Sequence, residues 1–122
     1  MFTTLRTIKS EFSQIDVIED YPHRYLFFDL NSPNKHGICR EQSAIRLDDL
    51  RLNVYDYSLL SMYSLRFIPV PNDVLCIGCG AGVVPREMAH YTNAKIDVLE
   101  IDPTVVSIAK DYFYYGTWRI IK

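Results

Sequence analysis

The chain has no apolar run approaching the roughly 18 residues that a membrane-spanning helix requires, and Met1 to Ser10, despite Arg6 and Lys9, lacks the apolar centre of a secretory signal. These absences predict a cytoplasmic protein with no membrane partner. Cysteine is sparse. Cys39, Cys76 and Cys79 make an odd count, too thin for a disulfide scaffold, which suits free thiols in a reducing compartment. Cys76 and Cys79 form a C-x-x-C, but it straddles a strand end and a glycine loop. No second pair completes a zinc site, and His23, His36 and His90 are scattered, so no metal is expected. Runs of lysine and arginine are missing too. With a net charge of −2 and a pI near 5.9, the chain has no electrostatic footprint for nucleic acid. Repeats and low-complexity segments are also absent. What remains is an ordinary globular composition, 48% hydrophobic and 23% charged over 122 residues, which points to small-molecule partners.

The most informative stretch runs from Asp73 to Asp102. Val74, Leu75, Cys76 and Ile77 form a short continuous apolar run of the kind buried on both faces of a parallel sheet, and Gly78, Gly80 and Gly82 end it. Helical composition follows through Val83, Val84, Met88 and Ala89. Lys95 to Ile101 then supplies a second strand rich in β-branched residues. This pattern predicts one β-α-β unit. Glycines are needed where a ligand approaches the backbone while the chain turns through conformations that a Cβ obstructs. Glu100 follows Gly78 by 22 positions, near the spacing of about 20 at which an acidic side chain accepts hydrogen bonds from ribose hydroxyls. The spacing G-x-G-x-G differs from the dinucleotide G-x-G-x-x-G, and the bland alternative is a tight turn with no ligand.

The remainder reads in order as a β-rich segment, a helix and a tail. Residues 12–19 predict a strand, Glu19 to His23 a turn, Arg24 to Leu30 a second strand, Asn31 to Gly37 a loop, and Gly37 to Ser43 a third strand. Unpaired edges in a three-stranded sheet would favour a homo-oligomer. From Asp48 to Phe67 the spacing of Leu50, Val54, Tyr57, Ser58, Ser61 and Leu65 predicts one helix, capped by Asp48 or Asp49 and ended by Pro69 and Pro71. Its tyrosines read as core packing. Asp102 at the N-cap and Pro103 at the first helical position predict a further helix through Tyr112, and residues 113–122 suggest a helix end plus a strand. The domain reading is 1–47, a β-rich segment; 48–72, a connecting helix and proline linker; and 73–122, an incomplete Rossmann-like nucleoside-binding domain.

Three groups of residues resemble the polyamine aminopropyltransferases, the spermidine and spermine synthases: Val74 to Gly82, Pro85-Arg86-Glu87, and Val98-Leu99-Glu100-Ile101-Asp102-Pro103. Gln42 to Asp49 resembles the family's Gln-Ser segment followed by acidic residues. The resemblance covers Ser13 to Phe113, about the first half of such an enzyme. It implies an α/β fold in which a small N-terminal β-sheet precedes the first β-α-β unit of a Rossmann-like class I S-adenosylmethionine-dependent transferase, apparently truncated. It also implies an aminopropyl group transferred from decarboxylated S-adenosylmethionine to a polyamine such as putrescine, with no metal.

On that resemblance Gly78, Gly80 and Gly82 cradle the nucleoside, Glu100 binds the ribose, and Gln42 reaches the cofactor from the N-terminal part. For Gln42 an exposed polar strand residue is the equal alternative. The chemistry needs donor and amine held in line and a carboxylate to take the ammonium proton. No catalytic residue is assignable. Ala81 stands where characterised enzymes commonly carry an aspartate, and the family's catalytic acidic loop lies beyond this sequence. The alternatives are an S-adenosylmethionine-dependent methyltransferase, whose glycine loop usually carries an acidic residue where Cys76 stands, and a non-catalytic truncated remnant. A fragment or truncated chain is expected to be inactive in isolation.

Overall fold

The structure is a computed structural model that describes residues 1–30 and 40–116. It begins with four antiparallel strands in sequential order: β1 (Thr3–Lys9), β2 (Gln14–Asp20), β3 (His23–Phe28) and β4 (Arg40–Arg46). The hairpin predicted at Glu19 to His23 is present, with Asp20 paired to His23 across the turn. The Asn31 to Gly37 loop, Cys39, His36 and the start of the third predicted strand lie outside the described residues.

The sheet has one strand more than the sequence pattern suggested. β1 is exposed at every position except Ile8, so it has no buried face to impose a period of two, and periodicity cannot reveal it. Its place is set by pairing with β2, where Thr7 Oγ1 donates to the buried Asp16 carboxylate at 2.6 Å. In β2 and β3 the cross-strand neighbours Val17 and Leu26 lie on one face, with Ile15 beside them, and all three are fully buried. Ile45 of β4 continues that face.

Of the long helix predicted for Asp48 to Phe67, the first part is absent. α1 spans Asp56–Met62 and runs into a 3₁₀ turn, Tyr63–Arg66. Asp48 and Asp49 do not cap it. Asp48 accepts from Arg46, while Asp49 accepts from the Arg51 backbone N–H at 3.0 Å and from the Arg51 guanidinium. Such side-chain bonds to a backbone two residues on offer an alternative to the helical ladder. Here they hold residues 48–52 in a turn.

The predicted β-α-β unit is present: β5 (Asp73–Ile77), α2 (Val83–Tyr91) and β6 (Lys95–Leu99), with β5 and β6 parallel from the Asp73–Lys95 pair to Ile77–Leu99. α3 (Pro103–Tyr112) follows. As its sequence predicts, Asp102 caps it, accepting from the Thr104 N–H at 2.9 Å, with Pro103 next.

One buried cluster joins the two halves. Ile15, Val17, Leu26 and Ile45 of the antiparallel sheet pack with Cys79, Ala81 and Val83 of the glycine segment and with Val105, Ile108, Ala109 and Phe113. Arg24 fastens the same junction, donating through Nε to Glu19 at 2.9 Å and through Nη1 to the Tyr112 carbonyl at 2.6 Å. Burial of β5 on both faces does not follow. Cys76 is buried, but Leu75 and Ile77, pointing the other way, are 58% and 84% exposed. Among the described residues no element lies over that face. The architecture is thus a mixed α/β arrangement, a small antiparallel sheet followed by one parallel β-α-β unit.

Candidate active site

At the carboxyl end of β5 the chain passes through Gly78, Gly80 and Gly82, which have φ values of 89°, 53° and 75°. A side chain at any of them would be strained. The turn is tied to its neighbour strand, because the Gly78 N–H donates to the Leu99 carbonyl at 2.7 Å. Beside it lies a cleft of about 510 Å³, walled by β5, by Tyr57 and Ser61 of α1, by Val83, Val84 and Met88 of α2, and by Phe28 of β3.

Four of the five sequence-predicted ligand-binding residues meet at this cleft: Gln42, Gly78, Gly80 and Glu100. They come from β4, the glycine turn and the end of β6, which are far apart in sequence. Gly82 is not among the lining residues. A Cβ built on it would lie 2.4 Å from the Tyr115 ring, so this glycine makes room for an aromatic side chain of the protein itself. Gly78 has open space where its Cβ would be, and at Gly80 a Cβ would reach only ordinary contact with Ser43, 3.6 Å away. These two leave backbone open toward the cleft.

Glu100 has a structural partner set that its spacing did not reveal. One carboxylate oxygen accepts from the Cys79 N–H at 2.7 Å and the other from the Asp102 N–H at 3.0 Å. The side chain therefore brackets two turns, the glycine loop after β5 and the entry to α3. Each oxygen retains a further acceptor position for a hydroxyl.

The sequence predicts core packing for the tyrosines between Asp48 and Phe67, but Tyr57 and Tyr63 are 45% and 57% exposed. The Tyr57 hydroxyl donates to the Gln42 carbonyl at 3.2 Å and lies 3.1 Å from Ser43 Oγ, tying α1 to β4 across the cleft. Nothing in its spacing marks this role. Cys76 and Cys79, both buried, are also among the lining residues. Burial, with the Glu100 charge next in size, pushes the Cys79 thiol up to about 11, and burial raises Cys76 as well. Both thiols are therefore predominantly protonated near pH 7. Among the described residues no group of His, Cys, Asp and Glu is arranged to hold a metal ion.

Arg86 and Glu87, in the first half of α2, are both buried and do not line the cleft. Burial lowers the Arg86 pKa and raises that of Glu87, while their attraction at 3.6 Å opposes both shifts. The pair is a packed element of the helix that follows the glycine turn.

Comparisons with known proteins match these same features. The family model described as the spermine/spermidine synthase domain matches residues 55–117, which include α1, the glycine turn, β6 and α3. A polyamine aminopropyltransferase of Vibrio vulnificus is 33% identical over 114 residues, covering 93% of this chain and 37% of that protein. Spermidine synthase 1 of Pisum sativum is 51% identical over 47 residues, 38% of this chain and 14% of that enzyme. Putrescine N-methyltransferase 2 of Nicotiana tabacum is 47% identical over 49 residues, 39% of this chain and 14% of that enzyme. No solved structure matches the chain. The chain spans little more than a third of the relative that it matches along most of its length. With glycine turn, acidic strand end and capped helix all inside the matched stretch, the chain belongs to the spermine/spermidine synthase family.

Proposed function

We propose that the chain forms the nucleoside-binding part of a spermidine synthase-like aminopropyltransferase, whose donor is decarboxylated S-adenosylmethionine and whose acceptor is a polyamine such as putrescine. The carrying observation is the arrangement at the cleft mouth, where Gly78 and Gly80 leave open backbone and Glu100 is held with a free acceptor position on each oxygen. In this reading the glycine turn begins a Rossmann-like nucleoside site, Glu100 accepts from the ribose hydroxyls, and the Gln42 side chain contacts the donor from β4. These groups bind and orient; they do not supply a proton acceptor for the attacking amine. Carbon–nitrogen bond formation with loss of a neutral thioether needs a carboxylate placed at the amine. The described cleft has one carboxylate, Glu100, and its oxygens are engaged by the loop backbone.

Isothermal titration of the chain with methylthioadenosine tests this reading. Binding is expected, and Gly80→Val is expected to abolish it, because the branched side chain fills the space where backbone meets ligand and is strained at φ 53°. Unchanged binding by the variant would remove the glycine turn from the site. A second reading, methyl transfer from S-adenosylmethionine, is favoured by the similarity to a putrescine N-methyltransferase over the same kind of short stretch. Titration with decarboxylated S-adenosylmethionine and with S-adenosylmethionine separates the two, since each reading expects its own donor to bind more tightly.

A further inference from the structure

Glu100 can face a ribose only if its carboxylate is held in one orientation, and two backbone N–H groups hold it. The first, that of Cys79, belongs to a turn fixed by the Gly78 N–H on the Leu99 carbonyl at 2.7 Å and by the Gly82 N–H on the Cys79 carbonyl at 2.8 Å. The second is the Asp102 N–H, two residues beyond Glu100, and its direction depends on the φ of Asp102. That backbone is set from three sides. Pro103 disfavours the helical region for the residue before it, and Asp102 is accordingly extended, at φ −103° and ψ 104°. The Asp102 carbonyl accepts from the Val105 N–H at 3.0 Å, and Oδ1 of its side chain accepts from the Thr104 N–H at 2.9 Å. Asp102 is buried, so water has little access to these bonds.

We propose that Asp102 is a positioning residue for ribose recognition, its side-chain cap on α3 fixing the N–H that aims Glu100. The inference rests on the nucleoside reading of the cleft and adds to it the device that orients the acceptor. Without the cap, the Thr104 N–H loses its partner and residue 102 gains freedom in φ. Glu100 then keeps only the Cys79 N–H firmly placed. Its carboxylate turns about the terminal torsion, which is broad for a glutamate, and its free lone pairs no longer converge on the ribose hydroxyls. The charge of Asp102 is not what carries the role. Oδ2 is buried with no partner among the described residues, so Oδ1 makes the contact that matters, and a neutral acceptor such as asparagine or serine is expected to serve in its place.

Titration of the full chain with methylthioadenosine and with its 2′-deoxy analogue tests this, read as the ratio of the two affinities. The unmutated chain is expected to favour the ribose form about tenfold or more, as for a hydrogen bond to a charged acceptor. Asp102→Gly removes the side-chain acceptor but leaves a residue well tolerated at a helix start, and Asp102→Ala removes it more severely. Each is expected to bring the ratio to within about threefold of unity, the residue of one weakened bond. Asp102→Asn and Asp102→Ser are expected to keep the ratio of the unmutated chain. Ser107→Gly weakens α3 at an exposed position with the cap intact, so it should lower the melting temperature and leave the ratio alone. A ratio retained by whichever of the glycine and alanine variants folds overturns the positioning role. So does a ratio that neither asparagine nor serine keeps, or one that falls as far in Ser107→Gly. Equal binding of both nucleosides to the unmutated chain would remove Glu100 from ribose recognition, and this proposal with it, while leaving a nucleoside site. Failure of both to bind would overturn the nucleoside reading itself.

Discussion

The two sheets of this molecule solve the burial of apolar side chains to different extents. In the antiparallel sheet Ile15, Val17, Leu26 and Ile45 are all fully buried, whereas in the parallel pair Leu75, Ile77 and Leu99 are between 58% and 84% exposed. Connectivity explains the difference. Hairpin-linked strands need cover on one face only, and residues of the glycine segment and α3 supply it. Parallel strands are joined by a crossover helix, and a two-stranded parallel sheet is complete only when a second layer covers its other face. Stability should therefore be concentrated at the junction between the antiparallel sheet and α3, and the cleft beside the glycine turn lies where cover is thinnest.

The largest expected effect is at that junction. Phe113 is 1% exposed at the end of α3, in the cluster that joins both halves. Phe113→Ala is expected to destabilise by about 3–5 kcal/mol, the cost of a large core truncation and its cavity. Urea unfolding would measure it. A loss below about 1 kcal/mol would mean that the two halves are not held together through this cluster.

An alkaline transition should come next in size. The Cys79 thiol is raised from 9.0 to about 11 in the fold, chiefly by burial. The folded protein thus keeps this proton where the unfolded chain has lost it. The associated stability is whole below the unfolded value and is lost as pH rises through the folded one. About 2–3 kcal/mol is expected to disappear between pH about 9 and about 11. Cys79→Ala should flatten that part of the profile, and an unaltered profile would assign the loss to the tyrosines.

Glu100→Gln tests whether the bracket between two turns has structural weight. An amide oxygen can replace one acceptor, but its NH₂ then faces the other backbone N–H. A cost of about 1–3 kcal/mol is expected, typical of hydrogen bonds to a charged group. Thermal melts without ligand would show it, and an unshifted melt would mean that the bracket carries no stability.

The glycines of the turn separate by a smaller margin. Gly82→Ala meets both a positive φ and the Tyr115 ring, whereas Gly78→Ala meets the positive φ in open space. Strain alone is worth about 1 kcal/mol, and crowding adds about 1 kcal/mol or more at Gly82. Removing the ring in a Gly82→Ala, Tyr115→Ala double variant should recover the excess. Additive losses would show that the ring does not set the requirement for glycine.

What could be read from the sequence follows the same division. The hairpin, the β5-α2-β6 unit and the Asp102-Pro103 helix start were legible because each combines a buried apolar pattern with local turn or cap chemistry. β1 was not legible because its residues stand almost wholly in solvent and carry no periodicity. The start of α1 was misplaced because Asp49 bonds to the Arg51 backbone two residues on instead of capping a helix. At the site, spacing brought Gly78, Gly80 and Glu100 together correctly as neighbours of one turn. It could not show that Gly82 serves Tyr115, or that Tyr57 reaches the Gln42 carbonyl. Those depend on contacts between elements remote in sequence, which one-dimensional spacing does not encode.

The smallest effect is the sharpest test of the comparison. Ile77 points from β5 into solvent at 84% exposure, although its neighbour Cys76 is buried. Threonine keeps the β-branched shape and the strand preference of isoleucine while removing apolar surface. If the face is open in solution, Ile77→Thr changes stability by no more than about 0.5 kcal/mol, as surface substitutions do, and lowers any tendency to associate. Chemical unfolding and light scattering on the same samples report both. A loss of about 1–3 kcal/mol would instead be the cost of removing a buried apolar side chain and leaving a hydroxyl without a partner. Such a result would place a cover over β5 in solution. If that cover were a second copy, the loss would shrink on dilution, because below its dissociation constant the unmutated chain loses the cover as well.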